Sequence, residues 1–339
     1  MLRESLKRII QRQDLDETEM AEVMNEIMTG NATDAQVGAL MAALATKGET
    51  FSELAGAART MRRKATRIQT SAETVVDTCG TGGDHAGTFN ISTTAAFVVA
   101  GCGVTVAKHG NRSVSSKCGS ADLLEALGVR LDVEPEIVEE AVRSVGIGFL
   151  FAPLFHGSMR FAARARKEVG IRSIFNMLGP LTNPAGANCQ LLGVYAPQMT
   201  EMFAQALRSL GARRAFVVHG LDGLDEISVC APTRISELKD GLIRTYEVIP
   251  EQLLGRRAEP EELLGGDARL NSRITLEVLS GAKGARRDVV VVNAAAALMA
   301  AGKARDFAEG IRLAENSIDE GAALGKLEAL VRFIAENAS

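Results

Sequence analysis

Three short segments gather residue types able to do chemistry. The first is Cys79-Gly80-Thr81-Gly82-Gly83-Asp84. Its glycines permit positive φ and let a ligand approach the main chain closely. Successive exposed N–H groups in such a loop form a nest for an anion. Phe89-Asn90-Ile91-Ser92-Thr93-Thr94 follows, ahead of the apolar run Ala95 to Ala100. Asn90 or Ser92 suits an N-cap there. The helix would then turn its dipole and free N–H groups toward the same anion. Two familiar phosphate motifs are excluded. A P-loop needs Lys then Ser or Thr after its last glycine, where this chain has Asp84, and GxGxxG needs glycine where it has His85.

The second segment is Lys108-His109-Gly110-Asn111-Arg112-Ser113-Val114-Ser115-Ser116. It packs two cations, an amide and three serine hydroxyls behind a strand read over Val104 to Ala107. Open α/β sheets bind ligands at that carboxyl edge. Lysine neutralises a phosphate, and serine or asparagine donates to its oxygens. A solvated polar loop is the alternative, and His109 alone fits a structural role equally well. The third segment is His219-Gly220-Leu221-Asp222-Gly223-Leu224-Asp225-Glu226, behind a strand read over Arg214 to Val218. Three carboxylates crowd into Asp222 to Glu226. They repel one another unless a cation or a donor sits between them. Mg²⁺ takes one or two carboxylates together with substrate phosphates and water, a demand that Asp225 and Glu226 meet. A plain surface turn is the alternative. Together the loops describe a site for a phosphorylated ligand with Mg²⁺, without naming the acceptor or the bond that breaks.

The elements that must position these loops follow from periodicity. Residues 1–70 read as helices only. Met20, Val23, Met24 and Ile27 form an i, i+3, i+4, i+7 stripe closed by Gly30. Thr33 to Gln36 and Thr50 to Glu53 have the form of capping boxes. The stripes Val37, Leu40, Met41, Leu44 and Leu54, Ala57, Ala58, Met61 follow them. Methionine in such stripes fills core or subunit interface. The basic stretch Arg59 to Arg67 reads as a solvated helix end, where cations suit the dipole. From residue 74 strand-like and helix-like segments alternate, with a strand at Val75-Val76 and a helix over Glu136 to Ser144. That pattern predicts a mostly parallel sheet flanked by helices behind a small all-α N-terminal domain. Val289 to Val292 fits a strand or a helix.

Composition narrows the function classes. The 339 residues are 46% hydrophobic and 24% charged, with a net charge of -4. An acidic chain with 4% aromatics and no Trp lacks the basic face and stacking platforms of a nucleic-acid binder. Five scattered cysteines, with no CxxC pair, point to a reducing cytosol rather than a disulfide framework or zinc site. The charged start, Met1 to Asp14, lacks a signal-peptide apolar region. No charge-free apolar run reaches transmembrane length.

The ordered motifs resemble the anthranilate phosphoribosyltransferases. The likeness rests on Asp77 to Asp84, Phe89 to Thr93, Lys108 to Ser116, Ile174-Phe175-Asn176-Met177-Leu178-Gly179-Pro180-Leu181-Thr182-Asn183-Pro184 and His219 to Ser228. It spans nearly the whole chain. It implies the fold of nucleoside-phosphorylase-like phosphoribosyltransferases: a helical domain over residues 1–72, with a short segment near 173–190, and an α/β domain over 73–172 and 191–339. It further implies a homodimer joined through the helical domains, and a helix over Val289 to Ala301.

The implied reaction joins phosphoribosyl pyrophosphate (PRPP) to anthranilate, giving phosphoribosyl-anthranilate and pyrophosphate on the way to tryptophan. Carried over by position, Gly80, Gly83, Asp84, Thr88, Asn90, Ser92, Thr93, Lys108 and Ser120 would hold PRPP, with Lys108 the catalytic cation. Ser92, Asp225 and Glu226 would hold Mg²⁺. Asn111 and Arg166 would receive anthranilate. Gly82, Ile91, His109, Gly110, Arg112, Ser113, Ser115 and Ser116 complete the candidate substrate-binding set. Three departures stand out: His85 where many relatives carry glycine, Gly157 after His156 where proline is frequent, and Arg164 at a common proline position. A pyrimidine-nucleoside phosphorylase shares the fold but uses free phosphate without the acidic pair. A non-catalytic nucleic-acid-binding relative would show damaged motifs on a basic surface. Asp225-Glu226 and the run Asn90-Ile91-Ser92-Thr93 tell against the first, and intact motifs on an acidic chain against the second.

Overall fold

The computed structural model describes residues 1–113 and 117–338. Four helices open the chain: α1 (Leu2–Ile10), α2 (Glu17–Met28), α3 (Asp34–Lys47) and α4 (Phe51–Lys64). Both expected capping boxes form, Thr33 with Gln36 and Thr50 with Glu53. A third, Asp16 with Glu19, starts α2. The expected stripes are all buried. At Gly56 of α4 a Cβ would lie 2.2 Å from the Glu17 carbonyl oxygen, so α2 and α4 approach through a bare backbone.

Arg59 to Arg67 only partly fits a solvated helix end. Arg59 pairs with Glu17. Arg62 turns inward and donates from Nε to the Leu181 carbonyl at 2.7 Å, because the helix end abuts the Gly179–Leu181 turn.

Seven strands form one sheet in the order β3-β2-β1-β4-β5-β6-β7. They are β1 (Val75–Asp77), β2 (Thr105–Gly110), β3 (Ile147–Phe151), β4 (Cys189–Gly193), β5 (Arg214–Gly220), β6 (Thr233–Lys239) and β7 (Leu242–Val248). β3 through β5 run parallel, and β6 and β7 add an antiparallel edge. Strand order reverses at β1, whose neighbours are β2 and β4. The carboxyl ends of β1 and β4 therefore flank a crevice of the kind in which open sheets bind ligands.

Alternation along the strands feeds two cores. Leu191, Phe216 and Val218 face one, covered by helix α5 (Ile91–Gly101) and the helices Ala285–Ala300 and Ala322–Asn337. Leu192, Ala215 and Val217 face the other, shared with helix Met199–Ser209 and the N-terminal helices. Helices Arg160–Val169 and Ile174–Leu178 join this second core through Ala162, Ala165, Ile174 and Phe175.

Val289 to Val292 lies in helix Ala285–Ala300, whose residues from Val289 onward are all buried. A helix apolar on every face carries no period, which is why the run alone read two ways.

Candidate active site at the carboxyl edge of the sheet

β1 ends at Asp77, which is fully buried and pins the strand ends together. It accepts from the His109 N–H at 3.1 Å and from Asn183 Nδ2 at 2.7 Å. Burial pushes its carboxyl up to about 6, against the pull of the Lys108 charge and these donors. Asp77, Cys79 and His109 bring three potential ligand atoms within 4.8 Å of one another. The two bonds to Asp77 already occupy its oxygens, and burial holds the Cys79 thiol protonated, so this group is structural.

Beyond Asp77 the chain makes the glycine loop. Thr81 N–H donates to the Gly193 carbonyl at 2.8 Å, and Gly82 N–H donates to Asp225 Oδ2 at 2.9 Å. Gly82, Gly83, His85 and Gly87 all have positive φ, between 58° and 82°. The loop thus makes the succession of left-handed turns that the glycines allow. Gly193 at the end of β4 is equally required, since a Cβ there would lie 1.5 Å from the Asp225 carbonyl oxygen. Nothing local in the sequence marked it.

Asn90 precedes α5 as its N-cap, but its side chain does not cap the helix. Its amide instead donates to the Cys118 carbonyl at 3.1 Å and accepts from Asn271 at 2.9 Å, tying the helix start to its neighbours. The free N–H of Ser92 in the first turn donates to Glu226 Oε1 at 3.0 Å.

The acidic loop therefore meets the glycine loop and the α5 terminus. Asp84 Oδ2 lies 3.5 Å from the Asp225 N–H. Burial raises Asp225 well above the usual carboxylate range, reinforced by the charges of Asp84 and Glu226. Burial raises Glu226 to about 7, opposed by the Lys108 charge. Crowded carboxylates that hold protons this tightly demand positive charge, and an all-oxygen donor set suits Mg²⁺. The residues fit that ion. Asp222 stays out of the cluster, accepting from Ser228 Oγ at 2.6 Å and closing its own turn.

Asn293 was missed in the sequence. It is fully buried, and its amide brackets Ile227, accepting from the N–H at 2.9 Å and donating to the carbonyl at 3.0 Å. The residue after Glu226 is thereby clamped. The available signal was a lone amide inside the apolar run Val289 to Ala300.

Lys108, 4% exposed, donates from Nζ to the Thr78 carbonyl at 3.3 Å, beneath the glycine loop. Thr78 Oγ1 donates to the Ser92 carbonyl at 3.0 Å. Ile91 and Thr93 are buried in α5, and Thr88 bridges to Leu264. Gly110 ends β2, and a Cβ there would meet Ser120 Oγ at 2.2 Å. Ser120 Oγ donates to the Asn111 carbonyl at 3.2 Å, while Asn111 Oδ1 accepts from the Arg112 N–H at 2.7 Å. Arg112 is held by Asp122 and Glu125, directing its charge to acids rather than to the crevice. The Ser113 N–H donates to Asp122 at 3.1 Å. Ser115 and Ser116 lie outside the described residues.

Across the crevice, His109 Nδ1 lies 2.9 Å from the Gly179 carbonyl. A carbonyl only accepts, so Nδ1 carries the proton and Nε2 is a bare acceptor. That Nε2 and the Nε2 of His156 are buried without a hydrogen-bond partner among the described residues, the two rings 5.1 Å apart. Burial lowers His109 to about 3 and His156 to about 4, so both rings are neutral. Arg166 is partly buried, with its guanidinium 5.5 Å from the Phe175 ring centre and no acid partner among the described residues. Arg164 is committed elsewhere, to Asp34 and Glu168.

Residues 72–324 match the family described as glycosyl transferase family, a/b domain, and residues 3–65 match its helical bundle domain. The chain is 75% identical over 337 residues to an anthranilate phosphoribosyltransferase of Syntrophobacter fumaroxidans, covering 99% of this chain and 100% of that one. Identity to the Desulfatibacillum aliphaticivorans enzyme of the same name is 67%, with the same coverage. The fold superposes on the crystal structure of the Thermus thermophilus anthranilate phosphoribosyltransferase with a TM-score of 0.92 at 43% identity, covering 97% of this chain and 99% of that one. The Saccharomyces cerevisiae enzyme in complex with PRPP and Mg gives 0.89 at 28% identity, covering 99% and 98%. By sequence and by fold, end to end, the chain belongs to the anthranilate phosphoribosyltransferase family.

Proposed function

We propose that this chain transfers the phosphoribosyl group of PRPP to anthranilate, giving N-(5-phosphoribosyl)anthranilate and pyrophosphate in tryptophan biosynthesis. The observation that carries the reading is the meeting of Asp225 and Glu226 with the glycine loop and the α5 N-terminus. Each acid already takes one backbone N–H, and a cation between them relieves the charge that remains. The S. cerevisiae structure with PRPP and Mg supports Mg²⁺ as that cation.

In this reading Gly80, Gly82, Gly83, Asp84, Thr88, Asn90, Ile91, Ser92 and Thr93 receive the diphosphate half of PRPP. Lys108 and Ser120 complete its surroundings, His109, Gly110, Arg112, Ser113, Ser115 and Ser116 belong to the wider substrate-binding set, and Asn111 faces anthranilate. Ser92, Asp225 and Glu226 hold Mg²⁺, which when bound neutralises charge on the departing pyrophosphate. Arg166 offers its fork to the anthranilate carboxylate. As the bond from C1 to pyrophosphate lengthens, the Lys108 ammonium and the loop N–H groups stabilise the growing negative charge. The amine lone pair forms the new C–N bond as pyrophosphate departs, and the nitrogen, acidic once bonded, then gives up its proton to water or to the released pyrophosphate. Positioning supplies much of the rate, with no strong base needed.

Incubation with PRPP, anthranilate and Mg²⁺ should yield the phosphoribosyl adduct by mass and one pyrophosphate per adduct. Product formed instead from a nucleoside and inorganic phosphate would assign a phosphorylase.

The proposal extends to a cytoplasmic homodimer joined through the N-terminal helices. Among the described residues no helix is long and apolar enough to cross a membrane. Sedimentation at micromolar concentration should give twice the 35.9 kDa chain mass. A lone 35.9 kDa species would refute the dimer.

A further inference from the structure

The glycine loop has no ladder to hold it. Four of its residues between 82 and 87 have positive φ, so point contacts must fix its shape. Two of these contacts come from the sheet side: the Gly193 carbonyl on Thr81 and Asp225 on Gly82. A third comes from the opposite direction. Arg172 Nη2 donates to the Gly83 carbonyl at 2.8 Å. Arg172 lies between helices Arg160–Val169 and Ile174–Leu178, both packed into the core of the helical layer. It is therefore the tie between that layer and the anion loop.

The arginine is itself held. Its guanidinium carbon sits 3.9 Å from the centre of the Tyr195 ring, just beyond β4. A face so close fixes the plane of the fork and aims its donors. No carboxylate lies within ion-pair distance of Arg172 among the described residues, and the Tyr195 side chain also hydrogen-bonds with it. The contact is also tight. A Cβ at Gly83 would lie 2.6 Å from Nη2, so the guanidinium packs directly against the bare Gly83 backbone. Glu49, from the turn between α3 and α4, reaches the same junction: its charge and that of Arg172 both bear on the Tyr195 hydroxyl.

We propose that Arg172, laid flat on Tyr195, is a positioning residue for the pyrophosphate-binding loop, acting through the Gly83 carbonyl. A carbonyl turned toward Arg172 is turned away from the anion, which leaves the neighbouring N–H groups facing it. The arginine's charge adds a favourable field from behind. This inference rests on the proposed reaction, because it takes the loop's ligand to be the diphosphate of PRPP.

The test compares Arg172→Ala, Arg172→Lys and Tyr195→Ala with wild type, by steady-state kinetics in both substrates and by calorimetric titration with magnesium pyrophosphate. Loss of one charge-assisted bond should raise the PRPP KM and the pyrophosphate Kd roughly tenfold. The anthranilate KM should stay within about twofold, since its anchors lie elsewhere. Lysine should not rescue, because it neither stacks nor donates from a fixed plane. Adding Tyr195→Ala to Arg172→Ala should do no further harm, because the two act as one unit. Arg172 variants with wild-type PRPP and pyrophosphate constants overturn the inference, even with a lowered Tm. So does a loss confined to the anthranilate KM, which would place Arg172 on the acceptor. Wild-type protein that fails to turn over PRPP would sink the proposed reaction instead, while the pyrophosphate titration still reads Arg172. Should the alanine variant fail to fold, Arg172→Lys carries the same comparison.

Discussion

The backbone N–H of Ser92 and the carboxylate of Glu226 meet at 3.0 Å, although 134 residues separate them in the chain. The bond joins a helix N-terminus, where a partial positive charge gathers, to an acid that burial holds up to about 7. It locks the α5 terminus onto the acidic loop and leaves Asp225, Asp84 and Glu226 sharing too little positive charge.

A pH dependence follows from Glu226. Its carboxyl is raised from the ordinary 4.5 to about 7, so the folded protein holds a proton that the unfolded chain has lost. The contribution of this group to stability is therefore intact below about 4.5 and falls away as pH rises to 7. Mg²⁺ replaces the proton. The rise in Tm on adding Mg²⁺ should be larger at pH 8 than at pH 5.5, and the difference should shrink in Glu226→Gln. An equal Mg²⁺ effect at both pH values contradicts the assignment.

Arg166 and Arg164 should behave oppositely. Arg164 is spent on Asp34 and Glu168, whereas Arg166 lies against the Phe175 ring with no acid partner among the described residues. Arg166→Ala should raise the anthranilate KM roughly ten- to a hundredfold, the worth of one bidentate carboxylate contact. Arg164→Ala should move it less than about threefold, since exposed ion pairs contribute little. The PRPP KM should hold in both. The reverse ranking would put the acceptor on Arg164.

His85 occupies the left-handed region at φ 58°, a conformation that favours glycine. A non-glycine residue there costs roughly 1 kcal/mol of strain, and a β-branched one costs more. His85→Gly should leave Tm and the PRPP KM nearly unchanged. His85→Val should raise the PRPP KM several-fold by displacing Asp84 and Gly83. If valine is tolerated as well as glycine, the turn at 85 does not set the loop.

What was legible in the sequence was local. Thr33 with Gln36 and Thr50 with Glu53 act within one turn, so spacing alone revealed them. The three site loops were legible because glycines, acids and cations cluster along the chain. The contacts that assemble them were not, because they join distant segments: Gly193 against Asp225, Arg172 against Gly83, Asn293 around Ile227. Asn90 stands at the N-cap position as expected, but what its side chain does there was not legible. Its side chain had a local cap available, and the partners that took it, Cys118 and Asn271, lie far along the chain. The ion pairs of Arg112 with Asp122 and Glu125 were equally hidden, since those acids lie ten and thirteen residues further along.

The central claim is that Asp225 and Glu226 hold the cation for phosphoribosyl transfer to anthranilate. It is tested most directly by following anthranilate fluorescence with saturating PRPP while Mg²⁺ is titrated, in wild type and in Asp225→Asn/Glu226→Gln. The expected result is Mg²⁺-dependent loss of fluorescence in wild type, abolished by excess EDTA. In the folded double variant the rate should fall by roughly a hundredfold or more at every Mg²⁺ concentration. Full wild-type activity in excess EDTA, or an unchanged rate in the double variant, would contradict the account.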